Sequence, residues 1–255
     1  MPSSLPLMIL SCLLLGCGTS GNESVARGST TWDGEVRVYG ELRAMMHEGQ
    51  VGPNVDLATL LPAPDLYALG ALANLAGEVT VVAGRAYLSY PAEDGTTRTE
   101  TAQTTAVAAT LLVAAHVPAW RSVRIAAPIR FDELDAAIAG LAAAAGVNTE
   151  KRFPFLIEGV LEDLQWHVID GSRLSSGETS HEDHRAAGVT SRIDRGSATL
   201  VGFYSRDDQG VFTHMGSATH IHCVVDEPVA TGHVDHVVIP AGTTVKFPVG
   251  PAQLD

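Results

Sequence analysis

The chain has 255 residues, with 16 Lys and Arg against 29 Asp and Glu and a formal net charge of −13, a balance that excludes the basic stripe a nucleic-acid binder turns toward phosphates. With 45% hydrophobic and 18% charged residues it can bury a core, which excludes wholesale disorder, and its length suits one domain or a fused pair. Three cysteines with no CxxC pair exclude a disulfide scaffold, a zinc ribbon and a redox dithiol.

Leu5 to Leu15 is a short apolar run, below the ~20 residues that a membrane span needs. It ends Leu14-Leu15-Gly16-Cys17, followed by Gly18, Thr19 and Ser20. A short apolar stretch before small residues reads as an export signal. The ending is similar to a bacterial lipobox, with Cys17 lipidated after cleavage. Met1 to Gly16 holds no Lys or Arg, so plain secretion, a periplasmic location or an unprocessed start stay open beside a lipid anchor. The expected order is a signal peptide with lipobox over 1–17, then a Gly/Ser/Thr-rich tether over 18–34. Cys12 would leave with the signal and Cys17 would be acylated, so Cys223 stands alone. No intramolecular disulfide is expected, and stability must come from packing or a bound metal.

Glu35 to His47 reads as a short strand followed by a helical stretch. Asp56 can cap a short helix holding Leu57, Leu60 and Leu61. Glu78–Val82 and Arg85–Tyr90 flank Ala83-Gly84 and predict a tight hairpin. The apolar run Ala106 to Val117 predicts a buried strand, and Phe131 to Ala145 an Ala-rich helix with acids in its first turn and Gly146 at its end. Past Asn148 the pattern turns to strands over 155–164, 166–169, 198–204, 219–225 and 233–239, with a polar loop from Gly171 to Gly188. The expected arrangement is α+β, with an α+β domain over 35–150, a β-rich metal-binding domain over 151–255, and a seam near 148–153.

Ten histidines are present, and three are spaced for chemistry. His220 and His222, in Thr219-His220-Ile221-His222-Cys223, stand two apart on a predicted strand. They project from one face about 6.6 Å apart along it, and imidazoles so placed can converge on one ion at Zn–N distances of ~2.0–2.1 Å. A turn over Asp226 to Gly232 can bring His233 beside them. Three neutral imidazoles with an open position are a catalytic arrangement, whereas structural zinc is usually closed by thiolates. The alternative is a solvated face with no ion. His236 sits at an odd offset from His233 and belongs to the opposite face. Cys223 points away from the His pair and packs, and His181 and His184 in the polar loop are expected to be solvated.

These blocks together resemble the bacterial α-acetolactate decarboxylase family. The likeness rests on Leu75-Ala76-Gly77-Glu78 with its hairpin, on Phe153 to Gly159, on Gly196 to Phe203, and on His220-x-His222 followed by Gly232-His233-Val234. It spans about Glu35 to Pro248. The resemblance implies a mixed-sheet α+β domain joined to a smaller β domain carrying the His-x-His site, usually as a homodimer. It also implies Zn2+ on His220, His222 and His233, with Glu78 near the metal. The implied reaction converts a small 2-hydroxy-3-keto acid, 2-acetolactate, to acetoin. Two positions depart from the family. Its substrate-contacting Arg, in a Thr-Arg-Thr strand, aligns with His167 of Gln165-Trp166-His167-Val168, so His167 would bind the carboxylate or donate a proton. The family also supplies a carboxylate from a C-terminal tail, and this chain stops at Asp255. Two other readings stay open. One is a non-catalytic or altered-specificity zinc-binding lipoprotein. The other is a cupin-like metalloprotein using Glu227 with Pro240-Ala241-Gly242, although Thr244-Val245-Lys246 stands where a cupin His is expected.

Overall fold

The computed structural model describes Met1 and residues 30–174 and 181–250, without the side chains of 181 and 182. Cys17, the expected signal, most of the tether and Asp255 lie outside the described residues. No helix among the described residues is long and apolar enough to cross a membrane.

Apolar, β-branched segments separated by short turns return the chain antiparallel, because a parallel partner needs a crossover of a dozen or more residues. The first sheet holds β1 (Arg37–Tyr39), β2 (Val55–Asp56), β3 (Leu66–Leu72), β4 (Glu78–Val82), β5 (Arg85–Pro91), β6 (Thr97–Ala102) and β7 (Ala108–His116). Their order is β1-β7-β3-β4-β5-β6, with β2 beside β7. The hairpin expected at Ala83-Gly84 joins β4 to β5, and the apolar run expected as a buried strand is β7, central and buried along most of its length.

The second sheet holds β8 (Trp120–Arg124), β9 (Ile129–Arg130), β10 (Phe153–Val168), β11 (Val189–Tyr204), β12 (Thr219–Val225), β13 (Ala230–Ile239) and β14 (Thr244–Pro248), in the order β8-β14-β10-β11-β12-β13-β9. β13 also pairs with the C-terminal half of β10, so β10, β11, β12 and β13 close on one another as a ring. Three α-helices among the described residues lie outside the sheets: α1 (Leu42–His47), α2 (Leu134–Ala144) and α3 (His181–Ala187).

The expected α+β class holds in its coarse form, with strands dominant. Several details differ. The named strands pair antiparallel rather than as a mixed sheet, at the hairpins and in the long-range pairs alike. The second sheet is no smaller than the first among the described residues. The chain passes from one sheet to the other between His116 and Trp120, because β8 pairs with β14 and β9 with β13. Finally, part of the expected polar loop from Gly171 to Gly188 is helical as α3.

The inner faces of both sheets share one core, in which Leu69 and Val113 of the first meet Phe153, Phe155, Phe203 and Phe247 of the second. Leu134, Ile138 and Ala142 of α2 pack on it. A separate apolar cluster joins Leu42, Met45 and Met46 of α1 to Ala71, Leu75, Leu111, Ile169 and Ala187. That cluster borders the site.

Candidate metal centre and its pocket

Alternation along β12 sends His220 and His222 to one side and Cys223 to the other, where it is buried and unpaired. Across the turn, β13 sets His233 directly opposite His222, and β10 sets His167 directly opposite His233. Three adjacent strands therefore carry imidazoles at one level. Gly232 permits the approach of β13 to β10, since a Cβ there would lie 2.5 Å from the His167 carbonyl oxygen and 2.6 Å from the Trp166 ring.

One nitrogen from each of His220, His222 and His233 lies within 4.8 Å of the others, and His220 Nε2 is 3.1 Å from His233 Nδ1. Tetrahedral ligands ~2.0–2.1 Å from a single ion stand about 3.3–3.4 Å apart, so small side-chain adjustments close the shell. Burial, first, and the neighbouring imidazoles, second, hold His220 and His233 well below the usual histidine range. The same causes bring His222 down to about 3. Neutral imidazoles are the form that ligates a cation. The donor set fits a borderline divalent ion.

Hydrogen bonds fix the tautomer of His222. Thr231 Oγ1 donates to the Cys223 carbonyl at 2.6 Å, so it must accept from Thr80 Oγ1 at 2.7 Å. Thr80 has then spent its proton and accepts from His222 Nδ1 at 3.2 Å. The Nε2 lone pair of His222 is left facing the site, 3.7 Å from Glu78 Oε2. Glu78 opens β4 behind Gly77, whose φ of +151° and close approach to the Ser89 carbonyl exclude a side chain. Glu78 is buried, 5% exposed. Burial pushes its carboxyl well above the usual carboxylate range, against a backbone N–H from Ile169 at 3.4 Å that favours ionisation.

His167 is also buried, with Nδ1 2.9 and 3.0 Å from the two Asp235 oxygens and its ring centroid 5.0 Å from that of His233. Asp235 lies two residues after His233 on the same strand face, an i, i+2 signal that sequence reasoning passed over. His214, in the connection between β11 and β12, brings its ring within 5.2 Å of His233 without any motif to announce it. His184 of α3, expected to be solvated, is buried and lines the pocket with Arg185; the His181 side chain is outside the described residues. His236 takes the opposite face as expected and lies 3.3 Å from Asp163. Glu227 is exposed in the turn after β12, while Glu78 is the acid beside the imidazoles. The remaining pocket wall is apolar, formed by Leu42, Met45, Met46, Leu75, Leu111 and Ile169.

The family model described as alpha-acetolactate decarboxylase matches residues 39–250. Among solved structures, the chain is similar to acetolactate decarboxylase from Bacillus subtilis subspecies spizizenii, with TM-score 0.67, 16% identity, and 85% of this chain and 86% of that chain covered. The same enzyme from Bacillus subtilis strain 168 gives TM-score 0.66 at 15% identity, covering 85% and 86%. A Staphylococcus aureus protein of unknown function, similar to alpha-acetolactate decarboxylase, gives 0.65 at 16% identity, covering 84% and 85%. No curated protein matches the sequence.

Proposed function

The chain belongs to the alpha-acetolactate decarboxylase family, and from that premise we propose that it decarboxylates 2-acetolactate to acetoin with Zn2+ held by His220, His222 and His233. The observation that carries this reading is the convergence of the buried imidazoles of His220 and His222 and the half-buried one of His233, from β12 and β13, beside the buried carboxyl of Glu78.

In the proposed reaction the bond from the hydroxyl-bearing carbon to the carboxylate breaks and CO2 leaves. The electron pair stays behind until a proton reaches carbon. A divalent ion bound at the three nitrogens supplies Lewis-acid stabilisation for negative charge developing on the neighbouring hydroxyl and carbonyl oxygens. Glu78 is suited to hold the transferable proton on Oε2, because burial favours its neutral form while the Ile169 N–H steadies Oε1. His167, oriented through Nδ1 by Asp235, is suited to a second proton-handling role at Nε2. The apolar wall from α1 and β7 accommodates methyl groups and keeps water from the reacting carbon.

One observation favours a second reading, a zinc-binding relative with altered specificity: the position of the family's substrate Arg holds a His already engaged by Asp235. The two readings part in an assay of the zinc-loaded full chain with acetolactate. Decarboxylation predicts CO2 and acetoin in equal amounts, abolished in His222→Ala. Bound metal without turnover would contradict the decarboxylase and favour the second reading.

A further inference from the structure

A decarboxylase that works on a free acid must recognise an anion, and beyond the divalent ion proposed at the three histidines the side chains of this pocket offer little further positive charge. Three imidazoles are assigned to the ion. His167 has the Asp235 carboxylate against its Nδ1, so whatever positive charge it carries is offset. Glu78 is itself an acid, and the facing wall of Leu42, Met45, Met46 and Leu111 is apolar. His184 and His214 also line it, and among the lining residues the one Lys or Arg is Arg185.

Arg185 sits on α3, which is held to the body of the protein by two side chains. Ala187 joins the apolar cluster of Met45, Met46 and Ile169, and His184 is buried against the pocket. Arg185 is exposed while still lining the cavity. Among the described residues no carboxylate pairs with it. A guanidinium is permanently charged and offers a planar fork that matches a carboxylate with two parallel hydrogen bonds.

We propose that Arg185 binds the substrate carboxylate at the mouth of the pocket, with the hydroxyl and carbonyl end turned toward the three histidines. The ligand class is a small 2-hydroxy acid. The inference rests on the reading of the pocket as a decarboxylation site, although its chemistry requires only that the ligand be anionic. A contact made to the acid before reaction favours the bound substrate as much as the transition state, so it appears in KM more than in kcat.

The test compares 2-hydroxyisobutyrate with its uncharged amide, 2-hydroxyisobutyramide, binding to the zinc-loaded full chain by ligand-observed NMR, for the wild type, Arg185→Gln and Arg185→Lys. The wild type should prefer the acid by about 10- to 100-fold, the range expected for hydrogen bonds to a charged group. Arg185→Gln should lower that preference by about tenfold, leaving what the ion contributes, with amide affinity and zinc content unchanged, and Arg185→Lys should keep part of it. With acetolactate, Arg185→Gln should raise KM by a similar factor with kcat little altered. An acid-to-amide ratio unchanged by Arg185→Gln, or no preference in the wild type, would overturn the proposal. Absence of acetolactate turnover with the acid preference intact would instead remove the decarboxylase reading and leave Arg185 as the anion-binding residue.

Discussion

Thr80 and Thr231 carry hydroxyls into the protein interior, and both are fully buried. A hydroxyl buried there is tolerated because each proton has an assigned acceptor, and the chain of bonds from the Cys223 carbonyl to His222 Nδ1 runs one way only. The Val79 carbonyl also favours a proton on His222. Groups that hold the far nitrogen of a metal-binding imidazole commonly change affinity by about 10- to 100-fold when removed. Thr80→Val keeps the volume and deletes the acceptor. With the Val79 carbonyl retained, zinc affinity should fall by about tenfold, near the low end of that range. Chelator competition measures it, and unchanged affinity with a native circular dichroism spectrum would contradict the tautomer assignment.

At the scale of elements, the site is built where a short turn and strict alternation coincide, and there the sequence is readable. The spacing of His220 and His222 fixes one face of β12, and the brief connection through Asp226 leaves little choice but to return β13 with His233 alongside. His167 was found by alignment with a family and not by pattern. The pairing of β10 with β13 shifts register between Glu162 and Gln165 and again between Gln165 and Trp166, and Asp163 adopts φ +46°. An irregularity of that kind resets which side chains face inward. α3 was missed because a seven-residue helix of His, Glu, Asp, Arg and Ala has too few apolar positions to display a 3.6-residue period. It is held in place by tertiary contacts. The pairings of β8 and β9 are illegible for a related reason: their partners, β14 and β13, lie far along the chain, and no local pattern records a pairing of that separation.

For the whole molecule, the site draws on both sheets. Glu78 and Thr80 come from the first, and the histidines from the second. Folding therefore buries three imidazoles together, and their titration is linked to stability. Each has a folded pKa below the unfolded value near 6.5. Their contribution is complete above that pH and is lost as pH falls toward the folded values, about 3 for His222, at about 1.4 kcal/mol per pH unit for each. Glu78 acts oppositely: its folded pKa is raised, so its contribution is present at low pH and lost as pH rises through the folded value. Three groups against one leave a net loss of stability on acidification below 6.5. Urea unfolding of the metal-stripped full chain between pH 6.5 and 5 should show that decline, with a shallower slope in His220→Asn. A stability unchanged over the interval would contradict the burial of neutral imidazoles.

The same convergence makes metal binding a property of the folded pair of sheets, since no unfolded segment holds all three nitrogens together. Calorimetric titration of zinc into the metal-stripped full chain at pH 7 tests this directly. The account predicts one ion bound per chain, with binding lost in His222→Ala and in His233→Ala while both variants stay folded. A wild-type chain that binds no ion, or variants that bind it as tightly as the wild type, would contradict the account.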